Sequence, residues 1–310
     1  MRVAVTGASG FVGDCVARFL MRRGHDVVAL GRRPPSRLRA PFTAYVQWDL
    51  RSGPIDMPGF DGVVHCAAHV GQWGPERDYR AVNVDGTKSV LETFRHTPRF
   101  VHISSASVYS TDQPHLNMTE ESRVGEPLLT PYARTKAEAE RLLTASGRDV
   151  VILRPHAVYG PGDATLLPRV LAARRFGWFP LPGDGRNRIS VTFVSNLALA
   201  VQLVLESAIP SGVFNIADDE EPTIDDMLRT MLRRHGVGDQ LLHVPRWAAQ
   251  SLAVVSESAW RMARISREPI LTRYAVAHLA ESFTLDVTRA RTRLGYAPQW
   301  NFRDAPLGPQ

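Results

Sequence analysis

The chain is poor in lysine: of 37 basic residues in 310, only Lys88 and Lys136 are lysines, and the other 35 are arginines. Cysteine is scarce as well. Cys15 and Cys66 cannot form a disulfide framework, and no CxxC or Cys/His cluster has the spacing of a metal site. No stretch approaches the ~18 uninterrupted apolar residues of a membrane span. No transmembrane segment is therefore expected, and contact with a membrane surface stays a minor alternative. Met1 leads directly into a strand-like run with no room for a signal peptide, so a cytoplasmic protein is expected. The formal net charge of +6 sits in the first forty residues, where eight arginines face only Asp14 and Asp26; the other 270 residues balance. Nucleic-acid binders carry basic stripes along a face or helix, and one short basic stretch argues against such a partner. Apolar residues at 44% and charged ones at 22% suit a globular protein of one large domain or two coupled ones.

Short apolar runs at 2–6, 26–30, 44–48, 62–65, 99–104 and 150–153 read as strands. Patterns of helical period at 11–23, 76–94 and 131–146 separate them, which predicts a parallel sheet covered on both faces. The best-marked helix has Thr130 as N-cap, Pro131 at its first position and Gly147 as its stop. Beyond residue 155 come Pro/Gly-rich loops, then a helix at 195–206 and a strand at 213–217. From about Asp218 the pattern is mainly helical. The expected fold is α/β, a Rossmann-type doubly wound parallel sheet with a smaller, mainly helical C-terminal part. Residues 1–167 and 189–217 are read as a dinucleotide-binding core, and 168–188 and 218–310 as a substrate-binding cap.

The first strand runs into Thr6-Gly7-Ala8-Ser9-Gly10-Phe11-Val12-Gly13 and then a helix. Strand, glycine turn and helix N-terminus is the arrangement in which a pyrophosphate meets backbone N–H groups. A site for NAD usually presents an acid to the ribose 2′-OH after the second strand. Here that strand ends in Gly31-Arg32-Arg33, with Arg37 and Arg39 close behind. Guanidinium groups can grip a 2′-phosphate bidentately, so NADP(H) is preferred and NAD(H) stays possible. Asp49 is a candidate partner for the adenine amino group.

Tyr132 and Lys136 stand at i and i+4 on the capped helix and so share a face. A free tyrosine with a pKa of ~10 exchanges protons poorly near neutrality; a neighbouring ammonium is expected to favour the phenolate. A compact ammonium suits that place better than a forked guanidinium, and the chain has only one other lysine. Ser105, after the fifth strand, is the candidate to hold the carbonyl oxygen beside Tyr132. Ser104 and Ser107 are the alternatives.

Taken in order, Gly7-x-x-Gly10-x-x-Gly13, His65-Cys66-Ala67-Ala68, Asn83-Val84-Asp85-Gly86-Thr87, Ser105-Ala106-Ser107-Val108-Tyr109, Tyr132-x-x-x-Lys136 and Leu153-Arg154-Pro155 carry a resemblance. The chain resembles an extended short-chain dehydrogenase/reductase of the NAD-dependent epimerase/dehydratase superfamily, over nearly its whole length. The resemblance implies that Gly7, Ser9, Gly10, Phe11, Val12 and Gly13 hold the pyrophosphate. It places Asp49, Leu50, Ala67, Ala68, His69, Pro155 and Val158 along the cofactor, with Asn83 in support. It implies that Ser105, Tyr132 and Lys136 catalyse.

Within the superfamily, dehydratases carry an Asp-Glu pair where this chain has Ala106 and Ser107. Nucleotide-sugar enzymes often carry an Arg-Asp pair after a GDG turn; aligning Gly183-Asp184-Gly185 puts Ile189-Ser190 there. The loop from Ala67 to Pro75, the run Arg154 to Asp163, and Pro269-Ile270-Leu271-Thr272-Arg273-Tyr274 resemble the 3β-hydroxysteroid-dehydrogenase-like and 2-alkyl-3-oxoalkanoate reductase branch. The resemblance implies an oxidoreductase that interconverts a ketone and a secondary alcohol on a small apolar substrate. A sugar-nucleotide 4-epimerase is the first alternative and a non-catalytic NADP-binding sensor the second. Trp73 and His156 are candidate substrate residues, and Arg154 is read as an ion-pair partner. Residues 247–265 carry Trp247, Leu252, Val255, Trp260, Met262 and Ile265 in helical register, and are expected to pack as core rather than as a lid or membrane contact. Relatives usually have a final helix where only 301–310 remain here. A homodimer is the default assembly.

Overall fold

The computed structural model describes residues 1–306 except 264, 266 and 270. Ile270 and the last four residues of the expected cap therefore lie outside the described residues. Seven strands form one all-parallel sheet: β1 (Arg2–Thr6), β2 (Asp26–Gly31), β3 (Ala44–Gln47), β4 (Gly62–His65), β5 (Arg99–Ile103), β6 (Val150–Pro155) and β10 (Gly212–Ile216). Their order is β3-β2-β1-β4-β5-β6-β10. The strands are apolar on both faces, as sheets covered by helices on two sides must be. Val3 and Val5 pack into one core with Val151 and Leu153, whereas Ala4, Val150 and Ile152 point into the other. Helices α1 (Phe11–Arg22) and α6 (Val194–Glu206) cover the first face through Val16, Ala17, Leu20, Leu197 and Val201. On the second face lie α3 (Asp85–Thr93) and α4 (Pro131–Ala145), with Val90 and Leu143 buried against Val63 and Phe100. From β1 the chain lays β2 and β3 to one side, then returns to place β4 on the other. Such a reversal opens a crevice beyond the strands' C-terminal ends, where ligands of open α/β sheets bind.

Two short parallel pairs complete the strands: β7 (Val158–Tyr159) with β9 (Thr192–Phe193), and β8 (Phe179–Pro182) with β11 (Leu241–Val244). Around them lie α5 (Leu166–Ala173), α7 (Ile224–Arg234), α8 (Arg246–Met262), α9 (Arg273–Ala280) and α10 (Thr288–Leu294). A separate cluster of Leu181, Ile189, Phe193, Ile224, Met227 and Leu228 forms the core there.

Two expectations need correction. The single helix at 76–94 is two, α2 (Glu76–Asn83) and α3, meeting at Val84. There Asn83 turns its amide to the loop after β4 and to α4, and Gly86 brings the backbone against Leu50. The segment 247–265 is not core. In α8 only Ala249, Ala253 and Glu257 are buried, while Trp247, Leu252, Val255 and Met262 are exposed. The small residues face inward because α9 lies close, with Ala249 and Ala253 packed on Val276.

Candidate active site

At the end of β1 the chain turns through Gly7 at φ +73°, a conformation glycine adopts without strain. A Cβ there would lie 2.7 Å from the backbone of Ala67, so the turn and the end of β4 touch backbone to backbone. A Cβ on Gly13 would lie 2.3 Å from the Gly7 carbonyl oxygen. Gly10 stands at the N-cap of α1 and no side chain caps the helix. The N–H groups of Phe11 and Val12 in its first turn are thus left for the oxygens of a ligand. A pyrophosphate fits this cradle, whose glycines leave no room for side chains.

The basic loop after β2 is held by its own backbone. Arg33 donates to the Ser9 carbonyl at 3.1 Å, and the Tyr45 hydroxyl donates to the Arg33 carbonyl at 2.6 Å. The Arg32 side chain is exposed beside this turn. Asp49 binds Arg51 through both carboxylate oxygens, and this bond holds its carboxyl below the usual range. Leu50 is buried against Gly86. Asn83 accepts from the His69 N–H at 2.7 Å and donates to the Thr135 hydroxyl at 2.9 Å. It thereby fastens the loop of Ala67, Ala68 and His69 to α4. Pro155 ends β6, and Val158 opens β7 nearby in sequence.

Thr130 accepts from the Ala133 N–H and caps α4, with Pro131 at its first position. Tyr132 follows at once. Burial pushes its phenol up to about 12, and the hydroxyl of Ser105 is the neighbour that opposes the rise. Ser105 accepts from the Ser107 N–H at 3.2 Å, so its own O–H proton is free to point at Tyr132 or at a substrate oxygen. Lys136 is buried one turn further along. It donates to the Ile103 carbonyl at 2.6 Å and meets His102 Nε2 at 3.0 Å. Burial draws this amine down to about 8, against the pull of Glu140 and Cys66. The expected lowering of the tyrosine by the lysine is therefore absent: the ammonium is aimed at the end of β5, and the phenol is held protonated.

Of the alternative serines, Ser104 donates to buried Glu140 and so turns away from the site. Glu140 pairs bidentately with Arg154, at 2.6 and 3.0 Å, and Arg154 also donates to the Tyr109 hydroxyl. Arg154 is thus the expected ion-pair residue. Ser107 lines a cleft of about 60 Å³, together with Leu129, Ala133, Tyr274, His278 and Phe283 among others. The two candidate substrate residues are not among those lining it. His156 lies behind, stacked on Phe283 at 4.1 Å between ring centres. Trp73 donates its indole N–H to the Ile265 carbonyl at 3.1 Å beneath the Arg261 guanidinium, and so clasps its loop to the end of α8. Sequence reasoning missed His102, Tyr274 and His278. Tyr274 closed a motif that resembled relatives, but nothing local marked it or the histidines.

Comparison with known proteins agrees with the motifs. Residues 3–217 match the model of the NAD dependent epimerase/dehydratase family. The chain is 32% identical to a 2-alkyl-3-oxoalkanoate reductase of Stenotrophomonas maltophilia, over 96% of this chain and 95% of that one. It is 30% identical to the 4-hydroxy-2-methyl-3-oxo-4-farnesyl-3,4-dihydroquinoline-1-oxide ketoreductase of Stigmatella aurantiaca, over 96% and 92%. Among solved structures it is similar to MoeE5 in complex with UDP-glucose and NAD, with a TM-score of 0.73, 26% identity and coverage of 98% and 96%. By this match and by its fold, the chain belongs to the NAD dependent epimerase/dehydratase family of extended short-chain dehydrogenases/reductases.

Proposed function

We propose that the protein is an NADP(H)-dependent oxidoreductase that interconverts a ketone and a secondary alcohol on an apolar substrate, steroid-like or 3-oxoacid-like. That it is an NAD(P)-dependent oxidoreductase follows from its family and its reductase and dehydrogenase relatives. The single observation that carries the finer reading is Tyr132 in the first turn of capped α4, with the Ser105 hydroxyl as its neighbour and Lys136 one turn behind. The names of the relatives, a 2-alkyl-3-oxoalkanoate reductase and a quinoline-oxide ketoreductase, support a ketone substrate. So does the absence of carboxylates at 106 and 107, which elimination of water would need.

The glycine turn and the first turn of α1 would hold the pyrophosphate, and Arg32 and Arg33 would bind the 2′-phosphate. The bound nicotinamide supplies or accepts the hydride. Ser105 donates its free proton to the carbonyl oxygen and fixes it beside Tyr132. Tyr132, kept as a phenol by burial, donates the proton that reduction requires. Lys136, its ammonium held on the Ile103 carbonyl and His102, supplies positive charge one turn behind Tyr132. Residues 168–188 and 218–310 are proposed to supply the walls that select the substrate.

The test is a ketone panel with NADPH or NADH. Wild-type protein should consume NADPH stoichiometrically. Tyr132→Phe should lose two or more orders of magnitude in kcat, a range typical of removing a positioned acid, while still binding NADPH. Arg32→Asp should raise the KM for NADPH far more than that for NADH. Undiminished turnover by Tyr132→Phe would overturn the catalytic reading, and equal effects on both cofactors would overturn the NADP preference. Turnover of a nucleotide sugar without added cofactor would favour the epimerase.

A further inference from the structure

We propose that the cleft beside Tyr132 holds a second oxygen-recognition site, in which the hydroxyls of Tyr274 and Ser107 donate to an acceptor oxygen of the substrate other than the reacting carbonyl. The ligand group is a carbonyl or carboxylate oxygen. The proposal rests on the ketoreductase reading above and deepens it.

The argument is one of hydrogen-bond polarity. The Ser190 carbonyl lies 2.8 Å from His156 Nδ1. A carbonyl only accepts, so this nitrogen carries the proton. Burial keeps His156 neutral, its value drawn down to about 4, so Nε2 keeps its lone pair. That lone pair faces His278 Nε2 at 3.3 Å, which must therefore carry a hydrogen. His278 is also kept neutral by its surroundings. The Tyr274 hydroxyl lies 3.1 Å from the same His278 nitrogen, its ring stacked on the imidazole at 4.3 Å. A nitrogen that bears hydrogen has no lone pair to offer. Tyr274 can only accept there, and its O–H proton is left over. A backbone carbonyl more than 80 residues away in sequence (Ser190) thus sets the phenol as a donor.

Ser107 supplies the second group. Its hydroxyl oxygen is buried and has no partner among the described residues, and the residue lines the same cleft as Tyr274 and His278. Of the other lining hydroxyls, Tyr109 donates to Asn215 at 2.7 Å and Thr111 to the Pro127 carbonyl at 2.9 Å, while Ser282 accepts from the Arg188 N–H at 3.0 Å. Two hydroxyl protons left over beside Leu129, Ala133 and Phe283 call for an acceptor in the ligand; the Glu281 carboxylate that also lines the cleft is paired with Arg246. Ser107 is two residues from Ser105 and Ala133 is next to Tyr132, so this second oxygen sits close to the reacting carbonyl.

The experiment compares three ketones of equal chain length with NADPH: a 3-oxo acid, its methyl ester, and a simple ketone without the second oxygen. It adds equilibrium binding of a dialkyl malonate, which has two acceptor oxygens but no ketone to reduce. Wild type should prefer the acid or the ester to the simple ketone by about tenfold or more in kcat/KM, the range of one to two hydrogen bonds. Tyr274→Phe and Ser107→Ala should each erase most of that preference through KM, leave the simple ketone unchanged, and weaken malonate binding by a similar factor. A preference for acid over ester marks a carboxylate, and the reverse marks an uncharged carbonyl. Equal losses on all three ketones, or wild-type malonate affinity kept by the double variant, would overturn the proposal. If Tyr132-dependent turnover fails on every ketone while Tyr274→Phe still weakens malonate binding, the ketoreductase reading falls and the oxygen site stands.

Discussion

Lys136 holds its charge on two groups of β5, and the second is unusual. Its ammonium donates to His102 Nε2, so the imidazole proton must sit on Nδ1. That Nδ1 is buried with no partner among the described residues, an arrangement that costs about 1–3 kcal/mol. Stability is therefore expected to rise or hold in His102→Leu. Activity should fall about tenfold or more, and the alkaline limb of the pH–rate profile should move to lower pH, because an ammonium that loses an acceptor gives up its proton more readily. His102→Gln, which keeps an acceptor, should restore much of the rate. A lost rate with an unmoved profile would mean that His102 only packs. The glycines, Ser105, Tyr132 and Lys136 could be named as candidates from the sequence because their chemistry ties residue type to local spacing. His102, Tyr274 and His278 were not, since their partners lie elsewhere: His102 is 34 residues from Lys136, and His156 is 122 from His278.

Local chemistry also decides how well each element could be read. Strand β1 and the capped start of α4 carry their signals in consecutive residues, and both stand where the pattern put them. Thr130→Ala is expected to cost about 1 kcal/mol of stability, the usual worth of an N-cap, as read from urea unfolding. Turnover should fall further than stability alone explains, because Tyr132 sits in the first turn that the cap holds. A variant as stable as wild type would show that Pro131 and tertiary packing fix this end without the cap. The bend at Val84 had no local signal, being set by what the Asn83 side chain reaches across space. Helix α8 misled for a related reason: its apolar residues read as core, yet close packing on α9 selects its alanines for the inside.

For the molecule as a whole, the first consequence is sensitivity to acid. His65, His102 and His156 are buried, and burial pulls each imidazole well below its ordinary value. Unfolding below about pH 6 lets each take up a proton that the fold denies it, so stability falls as pH falls. Each contributes up to ~1.4 kcal/mol per pH unit. Asp218 works the other way: burial raises its carboxyl to about 6, so the fold retains a proton there that the unfolded chain releases. The three imidazoles outweigh it. The thermal midpoint should drop steeply between pH 6 and 4, and a flat midpoint across that range would contradict the neutral, buried state of these rings. The scarcity of lysine has a consequence of another kind. Of the two lysines Lys88 is exposed, its side chain 58% accessible, and Lys136 is 2% exposed. An amine-acylating reagent therefore finds one lysine on the surface and one locked behind the cofactor crevice, while 35 guanidinium groups stay silent. The order in which those two lysine side chains gain mass, read by peptide apart from the N-terminal amine, is a built-in clock for the opening of the site.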